Sequence, residues 1–134
     1  MANELIVTDL LGNNGDIINF TCSGTTAIVK GAIMELLTDR TVQTVSAADV
    51  PVVGIAAYAK SATDGRTSIG VITNCIAKVL AETGNPTIGD TVSPSATANR
   101  VNLASTLDDE KGWALGYALE DFSAGETGLI RIKK

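Results

Sequence analysis

The stretch that decides the fold is Leu115–Ile132, LGYALEDFSAGETGLIRI, because it repeats the earlier stretch VGIAAYAKSATDGRTSIGVI at residues 53–72. The two copies align when Gly54 is placed on Gly116, 62 residues further along the chain. Each copy reads as an apolar strand, a Ser-Ala turn followed by an acidic residue, and a second apolar strand. The repetition indicates either two similar sites or one architectural unit that is used twice.

The repeat extends upstream of both copies. The first half begins at Gly31 with GAIMELLTDRTV, and the second begins at Gly89 with GDTVSPSATANRV. Each reads as a short strand, a polar turn and a returning strand, which ends at Val42 or Val101. Two similar four-strand units predict a small all-β single domain, a barrel or sandwich with pseudo-repeated halves, in which closing one unit on the other hides the edge strands.

Composition supports the all-β class. Of 134 residues, 45% are apolar but only 4% are aromatic, and 13 glycines punctuate the apolar runs. Branched residues broken by glycine suit short strands and tight turns. We expect strands at 16–24, 25–31, 32–45, 52–59, 66–73, 75–82, 91–105, 113–121 and 127–134, with Asp64-Gly65 as a hairpin signal. Helical periodicity is nearly absent, and only residues 32–37 and 107–112 are candidates for short helices.

Charge and apolar run length restrict the partners. Acidic residues outnumber Lys and Arg by 15 to 10, giving a net charge of −5, which disfavours nucleic-acid binding. The longest apolar run, near residues 51–59, is too short to span a membrane. The first basic residue is Lys30, so the start of the chain lacks the basic region of a signal peptide. These features predict synthesis in the cytoplasm, without nucleic-acid or membrane partners.

No residue pattern predicts catalysis or a cofactor. The chain contains no histidine, which removes the commonest general base and metal ligand. Cys22 and Cys75 are isolated in apolar runs and are expected to be buried free thiols rather than a zinc site. The carboxylates of residues 108–110 are adjacent, so they splay apart and indicate an acidic loop rather than an acid/base pair. Lys78 is expected to face outward from a strand.

The first fifteen residues stand apart from the rest, and we treat 1–15 and 16–134 as an arm and a β-rich domain. The arm carries an apolar patch before a Gly-Asn-Asn-Gly turn, composed of Leu5, Ile6, Val7, Leu10 and Leu11. One hypothesis is that this patch docks on another protein by adding a strand to its sheet. The other is that it forms the first strand of the domain's own core.

Trp113 is the single tryptophan. We expect it to anchor the core or an interface, because tryptophan supplies a large buried area with one polar handle.

A different class of function, a ligand-binding β-domain such as a carbohydrate-binding or carrier module, would need clustered exposed aromatics or a modified lysine.

Taken together, the segments KGAIMELLTDRTVQTV, VPVVGIAAYA and IAKVLA, with IGDTVSPSATANRVNLA and GWALGYALEDFSAGETGLIRIK, resemble the head decoration, or capsid cement, proteins of tailed phages and related viruses. The resemblance runs from about Phe20 to Lys133 and does not include the N-terminal segment. It implies a small, non-enzymatic β-rich protein that trimerises on the outer surface of the virion. Its partner would be the major capsid (coat) protein, and its role would be to stabilise the assembled shell.

Overall fold

The structure is a computed structural model that describes residues 4–105 and 111–134. Within these residues there is no helix, and the chain forms eleven strands. They are β1 (Ile6–Leu10), β2 (Ile17–Thr21), β3 (Ile33–Thr38), β4 (Thr41–Thr44), β5 (Val52–Ala56), β6 (Ser68–Ile72), β7 (Asn74–Thr83), β8 (Thr91–Pro94), β9 (Arg100–Leu103), β10 (Gly116–Ala118) and β11 (Thr127–Lys133). The predicted all-β class is confirmed.

Ten of the strands form two closed five-strand barrels, which follow each other along the chain. Barrel 1 has the strand order β2-β4-β3-β5-β6. Barrel 2 has the order β7-β9-β8-β10-β11, with β1 added to β7 as an extra edge strand. Counted along the chain, the first strand of each barrel runs parallel to the third, as β2 does to β4 and β7 to β9. It runs antiparallel to the fifth, as β2 does to β6 and β7 to β11. The repeat is therefore architectural, as its regular strand and turn pattern predicts.

The halves differ from the expectation in how they close. We expected two four-strand units to complete one barrel together, whereas each half has five strands and closes on itself. The closing contact in barrel 1 is a single parallel pairing, Thr21 with Thr41. In barrel 2 the equivalent pairing begins at Leu80 and Arg100. The apolar pattern of a strand does not reveal which strand pairs with it, because the pattern would be the same for any neighbour. The two closing parallel pairings could therefore not be predicted from the sequence.

The two barrels share one hydrophobic core. The larger cluster of buried side chains joins Ile33, Ile55 and Ile72 of barrel 1 to residues of barrel 2 such as Val92 and Ile130. A smaller cluster fills the interior of barrel 1. The backbone N–H of Ile33 also donates to the side-chain oxygen of Asn99, a buried residue of the β8–β9 turn, at 3.0 Å. The barrels therefore pack as one unit.

Three local expectations need correction. Residues 32–37 are candidates for a helix in the sequence, but most of them form β3, which pairs with β4 and β5 and has its first three side chains buried. Residues 25–31 form no strand and contribute one bridge, between Ile28 and Lys60. The Asp64-Gly65 turn lies within a longer connection, residues 57–67, between β5 and β6. The second helix candidate, 107–112, falls largely on residues outside those described.

Candidate interaction surface

The N-terminal segment forms β1, an edge strand that pairs antiparallel with β7. Its apolar side chains have different environments. Leu5, just before β1, is buried in the shared core, and Val7 packs against that core from a half-buried position. Ile6 and Leu10 are 64% and 50% exposed. Leu11, the fifth residue of the predicted patch, is half-buried. The segment therefore combines a packed side with exposed apolar side chains at a sheet edge.

A β-bulge at Thr8 changes the faces on which the later residues of β1 lie, so Leu10 is opposite the buried Cys75 while Ile6 is opposite the exposed Lys78. The register shifts between Val7 and Asp9, and the Thr8 hydroxyl donates to the Ile76 carbonyl at 3.1 Å. Val7 is therefore opposite Ala77, which is buried, while Asp9 is opposite Ile76 on the outer face. Without the extra residue, strict alternation would place Asp9 on the same face as Val7. The bulge thus keeps a carboxylate out of the core.

The loop after β1 is fixed to the start of β7. The Asp16 carboxylate accepts hydrogen bonds from the Asn13 backbone at 3.1 Å and from the Asn74 side chain at 3.0 Å. The Thr73 hydroxyl donates to the Asp16 carbonyl at 2.8 Å. The Asn74 bond, followed by the Asn13 bond, lowers the pKa of Asp16 below its usual value. The Asn-Gly turn predicted between Asp9 and Asp16 is thus held by its own carboxylate, and this anchors β1.

A groove of about 740 Å³ lies between β1 and barrel 1. Its lining includes the apolar residues Leu5, Ile6, Ala56 and Ile72, together with the lysines Lys30 and Lys78. No aromatic side chain lines it. Glu4 also lines the groove, which is therefore mainly apolar with charges of both signs and lacks the aromatic surface on which a sugar ring stacks.

The residues considered for chemistry occupy structural positions. Lys78 is an exposed residue in the middle of β7, opposite Ile6 and Leu129, as expected for a lysine that faces outward from a strand. Cys22 and Cys75 are buried free thiols; burial raises the pKa of both, that of Cys75 to about 11. In residues 4–105 and 111–134 no group of three or more His, Cys, Asp or Glu side chains is placed to hold a metal. The carboxylates 108–110 lie outside the described residues.

Trp113 is half-buried at the entry to β10, before the buried Ala114 and Leu115. The Lys111 ammonium lies 5.8 Å from its ring centroid, within the range of a cation–π contact. The side chain therefore keeps an accessible portion beside the core.

In the described part of the chain, no helix is long and apolar enough to cross a membrane.

The repeated turns explain the sequence feature that identified the halves. The Asp64 carboxylate accepts the Ser61 backbone N–H at 3.1 Å, and the Glu126 carboxylate accepts the Ser123 N–H at 3.0 Å. Upstream bonds repeat as well, since Gly31 N–H donates to Ala56 carbonyl as Gly89 does to Ala118. Ser-Ala and its following acid therefore close two equivalent turns, and nothing in their contacts requires a ligand.

Comparison with known proteins gives a likeness of fold. No protein-family model and no curated protein sequence matches the chain. Among solved structures, the fold is similar to the head fiber gp8.5 N base of bacteriophage phi29, with a TM-score of 0.51 and 14% sequence identity. The similarity covers 87% of this chain and 93% of that chain. At this identity the likeness shows a shared all-β fold with a domain of a phage head protein.

Proposed function

We propose that the protein is a non-enzymatic structural component of a phage head, which binds the outer surface of the assembled shell and stabilises it. The observation that carries the proposal is the shared fold with the phi29 head fiber base over 87% of the chain. The sequence resemblance to capsid cement proteins supports it independently, because it was found on particular strand and turn motifs. The missing histidine and the two buried thiols agree with a role without chemistry.

The proposed partner is the major coat protein, and the proposed contact includes the outer edge of β1 with its exposed apolar side chains. Ile6 and Leu10 are exposed apolar residues on an edge strand, and such edges pair readily with other chains. Leu5, in contrast, belongs to the core and would act by holding β1 in place. Trp113 is the second proposed contact, because its exposed portion lies beside a buried anchor. A homotrimer is the proposed assembly.

The stabilising mechanism is mass action. A protein that binds the assembled shell and not its separated subunits lowers the free energy of the assembled state. At a concentration one hundred times the dissociation constant, each filled site contributes about 2.7 kcal/mol. Many copies on one shell add their contributions, so no bond needs to be made or broken.

Binding to heads tests the proposal directly. Heads of the virus that carries this gene, prepared without the protein, are mixed with it and sedimented. We expect saturable binding and a higher temperature of shell disruption. Absence of binding to both immature and mature heads would overturn the proposed function.

Matched surface variants test the proposed contact. Replacing Ile6 and Leu10 together by serine removes the two most exposed apolar side chains of β1, one on each face, and leaves Leu5 in the core. Ile88→Ser, at a site 72% exposed in barrel 2, is the control. We expect the β1 variant to bind heads at least about tenfold more weakly at unchanged thermal stability. Equal loss in both variants would show that the contact is not specific to β1.

The oligomeric state has its own measurement. Light scattering after size exclusion should give three times the 13.8 kDa mass of the chain. A monomer at micromolar concentration would contradict the proposed trimer.

A further inference from the structure

The two barrels are equivalent strand by strand, except at one edge. β2 in barrel 1 corresponds to β7 in barrel 2, and Thr21 and Thr41 correspond to Leu80 and Arg100, each at a spacing of 59 residues. In barrel 2, one edge of β7 carries two partners. β9 pairs with its later half from Leu80 onward, and β1 pairs with its earlier half from Cys75 to Lys78.

The corresponding edge of β2 is only partly covered. β4 pairs with it at Thr21, which matches the position of β9 on β7. Among the described residues, no strand pairs with Ile17–Phe20 on that side, the position that β1 fills on β7. We call Ile17–Phe20 on this side the open edge.

Hydrogen bonds identify which backbone groups the open edge presents. The Thr21 N–H points to this side, since it donates to the Arg40 carbonyl at 2.8 Å. Backbone N–H and C=O groups point to alternate sides of a strand, so those of Ile17 and Asn19 point to the same side as those of Thr21, toward the open edge. Arg40 donates from its guanidinium to the Asn19 carbonyl at 3.0 Å. The counterparts of Ile17 and Asn19 are Ile76 and Lys78, which are paired with β1.

Side-chain exposure agrees with a missing strand. Ile17 and Ile18 are 45% and 44% exposed on consecutive positions. The counterpart of Ile18 is Ala77, which is fully buried beside β1. The Ile17 side chain also lies next to Tyr58 over Gly70, so the apolar surface of β2 continues onto its barrel neighbour β6. Apolar side chains on both faces of an unpaired edge are unusual, because such edges promote association.

We propose that the open edge of β2 is an acceptor site for an extended apolar peptide segment of another protein, which pairs antiparallel as β1 pairs with β7. β1 shows the pattern of such a segment: about five residues, with apolar side chains on the face that packs inward. Arg40 adds a preference for a carboxylate near the end of the segment that reaches Asn19. When the segment's N–H takes the Asn19 carbonyl, the guanidinium is released and needs a new acceptor. This second contact is distinct from β1 and stands whether or not the partner belongs to a phage head.

The chain supplies its own probe. The peptide ELIVTDLL, residues 4–11, is the segment that fills the equivalent site. It is added to the isotope-labelled protein, and it is also fused to the N-terminus of a second sample through a long Gly/Ser linker, which raises its effective concentration to about millimolar. The measurement is the amide hydrogen-exchange rate, residue by residue, by NMR. The control is the same fusion with Ile6→Pro in the added copy, because proline cannot donate to the Asn19 carbonyl.

We expect exchange at the amide of Asn19 to slow about tenfold in the fused protein and to remain unchanged in the proline control. No slowing in either the mixture or the fusion would overturn the proposal. Changes in amide exchange confined to Ile76 and Lys78 would also overturn the proposal, because they would mean that the probe replaces the chain's own β1 on β7. Slow exchange at Asn19 that depends on protein concentration, without any probe, would assign the edge to a second copy of this chain and would overturn the proposed partner.

Discussion

At the scale of single residues, Lys60 shows how a charged side chain is used inside this fold. Its side chain is fully buried, and its ammonium donates to the Thr26 carbonyl at 2.8 Å and the Ser61 carbonyl at 3.1 Å, with Asp64 at 3.7 Å. The lysine therefore links the loop after β2 to the turn between β5 and β6. It forms part of the closure of barrel 1.

We expect Lys60→Met to lower the free energy of unfolding by about 2–4 kcal/mol, because the variant removes two charge-assisted hydrogen bonds from a buried ammonium and its ion pair with Asp64. Lys78→Met, at an exposed strand position, is the control and should change it by less than about 0.5 kcal/mol. Urea unfolding followed by circular dichroism measures both. Equal effects of the two substitutions would contradict the structural role of Lys60.

Asp16 predicts a pH dependence. Its hydrogen bonds from Asn74 and Asn13 lower its pKa in the folded state. A carboxylate with a lowered folded pKa stabilises the fold above its unfolded pKa of about 4, and this contribution is lost as the pH falls through the folded value. We expect Asp16→Asn to be less stable than the wild type at pH 7 and to lose less stability between pH 5 and pH 2. Urea titrations at each pH measure both profiles, and identical profiles for Asp16→Asn and the wild type would contradict this role of the carboxylate.

At the scale of the strands, the glycine that identified the repeat is required by close packing. A Cβ atom at Gly116 would overlap the Arg131 carbonyl of β11, and one at Gly54 would overlap the Ile72 carbonyl of β6. Gly54 lies where β5 comes close to β6, and Gly116 lies at the equivalent position, where β10 comes close to β11. The Val-Gly-Ile-Ala and Leu-Gly-Tyr-Ala segments are therefore similar because the two barrels have the same crossing.

We expect Gly116→Ala to unfold the protein or to cost more than about 3 kcal/mol, since backbone must move to admit the methyl group. Gly125→Ala is the matched control, because its φ is +85° but nothing lies within 4 Å of the added Cβ. It should cost only the conformational strain, about 1–2 kcal/mol. Thermal unfolding compares the two, and a larger loss at Gly125 would contradict the close-packing explanation.

The sequence predicted most of the strands, but not the strand pairings. The predicted strands at 52–59, 66–73 and 75–82 correspond to β5, β6 and β7, because turn residues bound these apolar runs in the sequence. The apolar run 32–37 fits either a short helix or a strand, and pairing with both β4 and β5 makes most of it β3. The open edge of β2 was missed because Ile17 and Ile18 read as ordinary strand residues. The signal became visible only through the equivalence with β7.

At the scale of the whole molecule, the shared core predicts that the barrels unfold together. Cys22 lies in the interior of barrel 1 and Cys75 in the shared core on β7, and both thiols are buried. Each therefore reports on a different barrel. β6 and β7 are joined through Thr73 alone, so the barrels have little freedom to separate.

We expect the two thiols to react with a thiol reagent at the same urea concentration, with protection free energies that agree within about 0.5 kcal/mol. Peptide mass mapping after pulsed labelling assigns the reaction to each cysteine. Labelling of Cys22 well before Cys75 would mean that barrel 1 opens independently, which would contradict the single cooperative unit.

The arrangement of strands around β7 also has a mechanical consequence. β1 and β11 lie on opposite sides of β7, and both run antiparallel to it. β1 begins beside Lys78, whereas β11 ends beside Asn74. A force that pulls Ile6 and Lys133 apart therefore acts along the strands and loads the interstrand hydrogen bonds in shear. They must break together rather than one after another, so this chain resists tension between its two terminal strands far better than it would if it could unzip.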